Sequence, residues 1–178
     1  MDAENTVLVI VDVQGKLAHS MFEKERLFRN LRTVIQGIQI LNIPIFWLEQ
    51  YPKGLGPTIE EIGELLGDLE PVAKTCFSAC GTEGFLNRLM AMDRNQVLVA
   101  GIETHICVSQ TTRDLLAREF QVEVLADAVS SRTSENRELG LERMREDGAR
   151  LTSVEMALFD LLKEAGSPEF KEIVGLVK

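Results

Sequence analysis

The sequence predicts an α/β protein, a three-layer α/β/α sandwich around a six-stranded, mostly parallel sheet. Three observations carry that expectation. Short apolar runs alternate with longer amphipathic stretches, the pattern of strand–helix–strand units whose crossovers cover a parallel sheet on both faces. The first run, Thr6 to Val11, is too apolar and β-branched to keep a face in water. No linker, repeat or low-complexity tract divides the 178 residues, so a single domain is expected over 1–178.

Each element has its own signal. After the first strand, Lys24 to Leu41 sets Leu27, Phe28, Leu31, Val34, Ile35, Ile38 and Leu41 at helical spacing, with Arg26, Arg29 and Arg32 off that face. Ile43 to Leu48 returns to strand, where Pro44 is tolerable only near the start. Gln50 to Pro57, rich in Gly and Pro, reads as a surface loop. Thr58 opens a short helix in which Thr58 and Glu61 form a capping-box pattern. Pro71 to Thr75 is a brief strand, and Thr82 to Met92 a helix burying Phe85, Leu86, Leu89 and Met90. The remaining strands are Gln96 to Ala100, Val122 to Leu125 and Arg150 to Thr152. The remaining helices are Thr104 to Arg118, Ser134 to Asp147 and Ser153 to Glu164. The tail, Ser167 to Lys178, is either a helix packing back or an arm exchanged with a partner.

Composition excludes several functions. Lys and Arg number 19 against 28 Asp and Glu, a net charge of −9. No basic stripe offsets this, so nucleic acid is not an expected partner, because a phosphate backbone is held mainly by clustered cations. No apolar run approaches the ~20 residues of a membrane span. The first residues carry two acids and no basic segment, so no secretory signal is read there. Three cysteines argue against a disulfide-stapled framework, and the expected location is the cytoplasm.

In an open parallel sheet, ligands bind outside the carboxyl ends of the strands. The first strand ends at Asp12, the short third strand near Lys74, and the fourth runs through Gly101, Ile102, Glu103 and Thr104 into a helix carrying Cys107 in its first turn. Each residue alone has a plain structural role: a capping Asp, a surface Lys, a small buried Cys. Together they form a sufficient set for covalent acyl transfer. A helix N-terminus and a nearby ammonium are expected to lower the pKa of the thiol, and a carboxylate can take its proton and return it to a leaving group.

Three segments carry a family resemblance: Val9-Ile10-Val11-Asp12-Val13-Gln14, Lys74-Thr75-Cys76-Phe77-Ser78-Ala79, and Ala100-Gly101-Ile102-Glu103-Thr104-His105-Ile106-Cys107-Val108, the last being the most specific. From about Thr6 to Leu162 the chain resembles the isochorismatase-like cysteine hydrolases in order and spacing. The resemblance implies that Asp12, Lys74 and Cys107 form a catalytic triad. It also implies a cis peptide between Ile102 and Glu103, so that the amides of Glu103 and Cys107 form an oxyanion hole, and that Ser130 and Arg132 close the site. Relatives are usually dimers to octamers, so the resemblance also implies a homo-oligomer.

The departures narrow the activity. The metal-dependent nicotinamidase branch has an Asp-x-His pattern after its second strand, whereas Leu48-Glu49-Gln50-Tyr51-Pro52-Lys53 holds no His. No metal and no cofactor are therefore expected. Isochorismate cleavage uses no nucleophilic cysteine, and Cys107 argues against it. The stretch Glu49 to Gly56 looks like the branch of the isochorismatase-domain proteins. The expected reaction is hydrolysis of a small amide or related C–N bond through a thioester on Cys107. Trp47, Tyr51 and Phe77 are the candidates for an apolar pocket wall, and Gln14 for a polar contact with a small-molecule substrate.

Rival readings of the same residues are weaker. Cys107 to Arg113 has the Cys-x5-Arg spacing of cysteine phosphatases, but the residues between contain no glycine to shape a phosphate cradle. Cys76, Cys80, His105 and Cys107 supply four soft ligands without the tight pairs of structural zinc. His19 lies in a polar segment, exposed or bordering a pocket near Asp12. The serious alternative is an inactive family member acting as an oligomeric protein-binding scaffold.

Overall fold

The computed structural model describes residues 1–178. Its six strands are β1 (Thr6–Val11), β2 (Ile45–Gln50), β3 (Val72–Lys74), β4 (Gln96–Ile102), β5 (Gln121–Ser130) and β6 (Arg150–Thr152). They form one sheet in the order β3-β2-β1-β4-β5-β6. Every pair is parallel, because each strand returns through a helical crossover. The helices are α1 (Gly15–His19), α2 (Lys24–Ile40), α3 (Pro52–Leu55), α4 (Glu60–Gly63), α5 (Glu83–Met90), α6 (Ser109–Leu116), α7 (Ser134–Glu146), α8 (Val154–Leu162) and α9 (Pro168–Val177).

Alternation along the central strands divides the core into two layers. Leu8, Ile10, Leu98 and Ala100 face one side, against Leu31, Ile35 and Ile38 of α2, Leu158 of α8 and Ile173 of α9. Val7, Val9, Val97 and Val99 face the other, against Phe85 and Leu89 of α5, Leu115 of α6 and Met144 of α7. The chain builds outward from β1 toward β3 and from β4 toward β6, so the strand order reverses between β1 and β4. That is where an open α/β sheet leaves its crevice.

Gly101 sets the spacing there. It pairs with Val11 at φ +114°, and a Cβ would stand 2.1 Å from the Val11 carbonyl oxygen. No other residue type fits between β1 and β4 at that level.

Several local expectations need correction. The Gln50 to Pro57 loop contains one helical turn, α3, because Pro52 at its start pre-sets a helical φ. The next helix begins at Glu60 with Ile59 as its N-cap, and Thr58 forms no capping box because its hydroxyl is engaged by Glu49 and Trp47. Met90 is 64% exposed rather than buried, lying at the end of α5. β5 runs five residues past Leu125, through a bulge in which Val124 to Val129 spans only Val99 to Gly101 of β4. The bulge carbonyls find side chains instead of a strand: Arg137 donates to the oxygens of Ala126 and Val129, and Asn30 Nδ2 to that of Asp127. The tail is a helix, α9, which packs back on α2 and α8 with Ile173 fully buried.

Candidate active site

Asp12 follows the last residue of β1 in a left-handed conformation, φ +52°, with its amide donating to the Leu48 oxygen at 3.2 Å. Lys74 closes β3, two strands away, and its Nζ donates to Asp12 Oδ2 at 2.7 Å. Both side chains are shut off from solvent, at 0% and 2% exposure. The same ammonium donates to Gln50 Oε1 at 2.7 Å, the Phe77 oxygen at 3.1 Å and the Cys76 oxygen at 3.3 Å. Three hydrogens thus face four acceptors.

Gln50 is a residue that the sequence reading missed. Its backbone is bracketed by Gln14, whose Nε2 donates to the Gln50 and Gly56 oxygens at 3.1 and 2.7 Å, while Oε1 accepts from the Gln50 amide at 2.7 Å. Its own Nε2 donates to the Thr75 oxygen at 2.7 Å. Nothing local in the sequence marks this clamp, although a Gln two residues after Asp12 and another at a strand end are its only trace.

Cys107 arrives from the end of β4. The Ile102–Glu103 peptide is cis, and Thr104–Val108 winds as a turn of π-helix before α6, with the Ile106 and Val108 amides both donating to the Glu103 oxygen. Helix α7 backs this turn at Gly140, where a Cβ would sit 2.8 Å from the His105 nitrogen. Glu103 Oε2 accepts from Arg132 N and Nε, each at 3.1 Å, tying the end of β5 across the turn. Ser130 Oγ donates to the Phe22 oxygen at 2.7 Å, so it anchors the loop before α2.

The electrostatics reverse one expectation. Burial pushes the Cys107 thiol up to about 12; the Asp12 charge adds to the rise and Lys74 opposes it. A thiol lowered by dipole and ammonium is therefore not the resting state. Burial also raises the Asp12 carboxyl, against the pull of Lys74. Asp12 Oδ1 is buried without a hydrogen bond, and the neighbouring thiol favours its ionised form. The arrangement is a protonated thiol beside a carboxyl group with one oxygen held by Lys74 and the other without a hydrogen-bond partner.

The pocket candidates separate. Tyr51 and Phe77 are about half exposed, on either side of Lys74 in sequence, and Tyr51 lines a cavity beside it. Trp47 does not reach the site: it packs on the α2 layer and its Nε1 donates to Thr58 Oγ1 at 2.6 Å. Gln14 is likewise not available to a substrate, since its amide is used on backbone groups. His19 is exposed and stacks edge-on to Phe28. Cys76, Cys80, His105 and Cys107 do not gather, and no group of three or more His, Cys, Asp or Glu side chains converges to hold a metal. The Cys76 thiol is exposed and contacts the Gly81 oxygen at 3.6 Å.

Residues 6–156 match the family model of the isochorismatase domain. The chain belongs to the isochorismatase family. This isochorismatase-family chain is 40% identical to isochorismatase domain-containing protein 2 of Danio rerio, over 99% of its own length and 89% of that relative. It is 41% identical to a secreted isochorismatase effector, Isc1, of Phytophthora sojae, covering 98% and 85% of the two chains. A solved structure named as the MAR1 ribonuclease of Caenorhabditis elegans superposes with a TM-score of 0.93 at 36% identity, covering 99% of this chain and 91% of that one. No helix is long and apolar enough to cross a membrane.

Proposed function

We propose that residues 1–178 act as one cysteine hydrolase domain that cleaves a small amide or related C–N bond through a thioester on Cys107. The observation that carries this reading is the divided Asp12 carboxylate, with Oδ2 fixed by Lys74 and Oδ1 unpartnered beside the thiol. Asp12 Oδ1 takes the thiol proton as Sγ attacks the carbonyl carbon, and the charge that develops on the carbonyl oxygen is met by the amides of Glu103 and Cys107. The tetrahedral species collapses when Asp12 returns that proton to the departing nitrogen. Asp12 then takes a proton from water as it attacks the thioester, which releases the acid and restores the thiol. Because Cys107 starts near 12, deprotonation accompanies attack rather than preceding it.

The ribonuclease named among the solved structures does not transfer readily to a chain of net charge −9 with no cationic stripe. The scaffold reading is favoured by one observation, the burial that keeps the thiol protonated. A panel of small amides, ureides and carbamoyl compounds, assayed for ammonia release in EDTA with acid-quenched mass analysis of the Cys107 peptide, separates the two. Ammonia release with an acyl mass on Cys107 is expected. If no compound releases ammonia and Cys107 labels with iodoacetamide no faster than buried Cys80, the scaffold reading replaces this one. We further propose a cytoplasmic homo-oligomer, for which a scattering mass well above the 19.9 kDa of one chain is expected.

A further inference from the structure

A cavity of about 470 Å³ opens beside Lys74, within the size range of small-molecule sites. Its polar lining is one-sided. Lys53 supplies an ammonium, Tyr51, Thr75 and Thr82 supply hydroxyls, and no carboxylate lines it. That is unusual ground in a chain whose acids outnumber its bases by 28 to 19. None of these four side chains forms a hydrogen bond or ion pair within the protein, whereas the Lys74 ammonium is fully occupied.

The wall is preformed. Tyr51 sits at φ +37°, with its amide donating to the Lys74 oxygen at 2.8 Å and its oxygen accepting from the Gly54 and Leu55 amides. Its ring lies on Gly54, where a Cβ would be 2.5 Å from two ring carbons. Strain of this kind persists where the surroundings fix it, and a wall already in place loses little entropy on binding.

We propose that this cavity is a binding site for the carboxylate of a small molecule, held by Lys53 with the hydroxyls of Tyr51, Thr75 and Thr82. Free donors without a competing carboxylate suit an acceptor-only anion, and a single ammonium matches one negative charge better than a phosphate dianion.

Cys76 gives a readout that needs no turnover, because its exposed thiol lines the same cavity while Cys80, in the adjoining turn, is buried and does not line it. Iodoacetamide labelling of each cysteine is followed in the full chain with the monoanion succinamate, its neutral counterpart succinamide, or inorganic phosphate, at matched ionic strength. Succinamate is expected to slow labelling of Cys76 and not of Cys80, with the diamide much weaker. Lys53→Gln is expected to weaken the protection about tenfold, the scale of one lost charge-assisted hydrogen bond. The proposal is overturned by absence of protection, by equal protection from succinamate and diamide, by stronger protection from phosphate, or by protection unchanged in Lys53→Gln. Failure of the thioester chemistry is read separately, at Cys107, and does not alter Cys76 labelling.

Discussion

Cys107→Ser is expected to abolish hydrolysis of any amide the wild-type chain turns over, by on the order of 10⁴-fold or more, as for the loss of a member of a catalytic triad. The exchange replaces one small atom by another in a turn already fixed by the Glu103 oxygen and by Gly140, so folding should be preserved. What changes is acidity. A thiol at about 12 can still be deprotonated in flight by an adjacent carboxylate, whereas a hydroxyl in the same buried place lies several units higher. Initial rates, together with thermal melting of both proteins, check this. Retained activity would remove the covalent step and leave Asp12 acting on the substrate directly.

Asp12→Asn is expected to lose turnover to a similar degree and, unlike Cys107→Ser, to lose stability as well. An amide cannot accept the thiol proton or return it to the leaving nitrogen. The substitution also leaves the Lys74 ammonium, at 0% exposure, without its counter-ion, a situation that costs about 3–5 kcal/mol. Adding Lys74→Met should raise the melting temperature back toward wild type without restoring activity. A single variant as stable as wild type would show that the pair carries no such coupling. In the wild type, turnover should fall as pH drops through the raised pKa of Asp12, because the protonated acid has no base to offer.

The positions of Asp12, Lys74 and Cys107 were legible because they follow from order alone. Alternating elements define a parallel sheet, and strand ends define its mouth, so residues 62 apart in sequence could be placed together before any contact was known. Side-chain partners were not legible in the same way. Trp47 and Gln14 look like pocket residues by type, yet one is committed to Thr58 and the other to backbone oxygens of residues 50 and 56, choices set by how the loop after β2 folds. The far half of β5 was missed because Ala126 and Asp127 interrupt its apolar run, and the reason they are tolerated lies eleven and ninety-seven residues away, in Arg137 and Asn30. The acidity of Cys107 failed for a related reason. Helix position and a neighbouring Lys are local signals, while desolvation depends on everything packed around the thiol.

The four acceptors around the three hydrogens of Lys74 also bear on how charge migrates through the site. An ammonium with spare hydrogens would swing toward a nascent anion, and the swing would add reorganisation energy to the barrier. Here rotation about the Cε–Nζ bond only exchanges one occupied direction for another. The positive charge is thus fixed at folding, and in the mechanism proposed above it would present the same field before the thiol proton moves and after it has gone, leaving the environment little to rearrange.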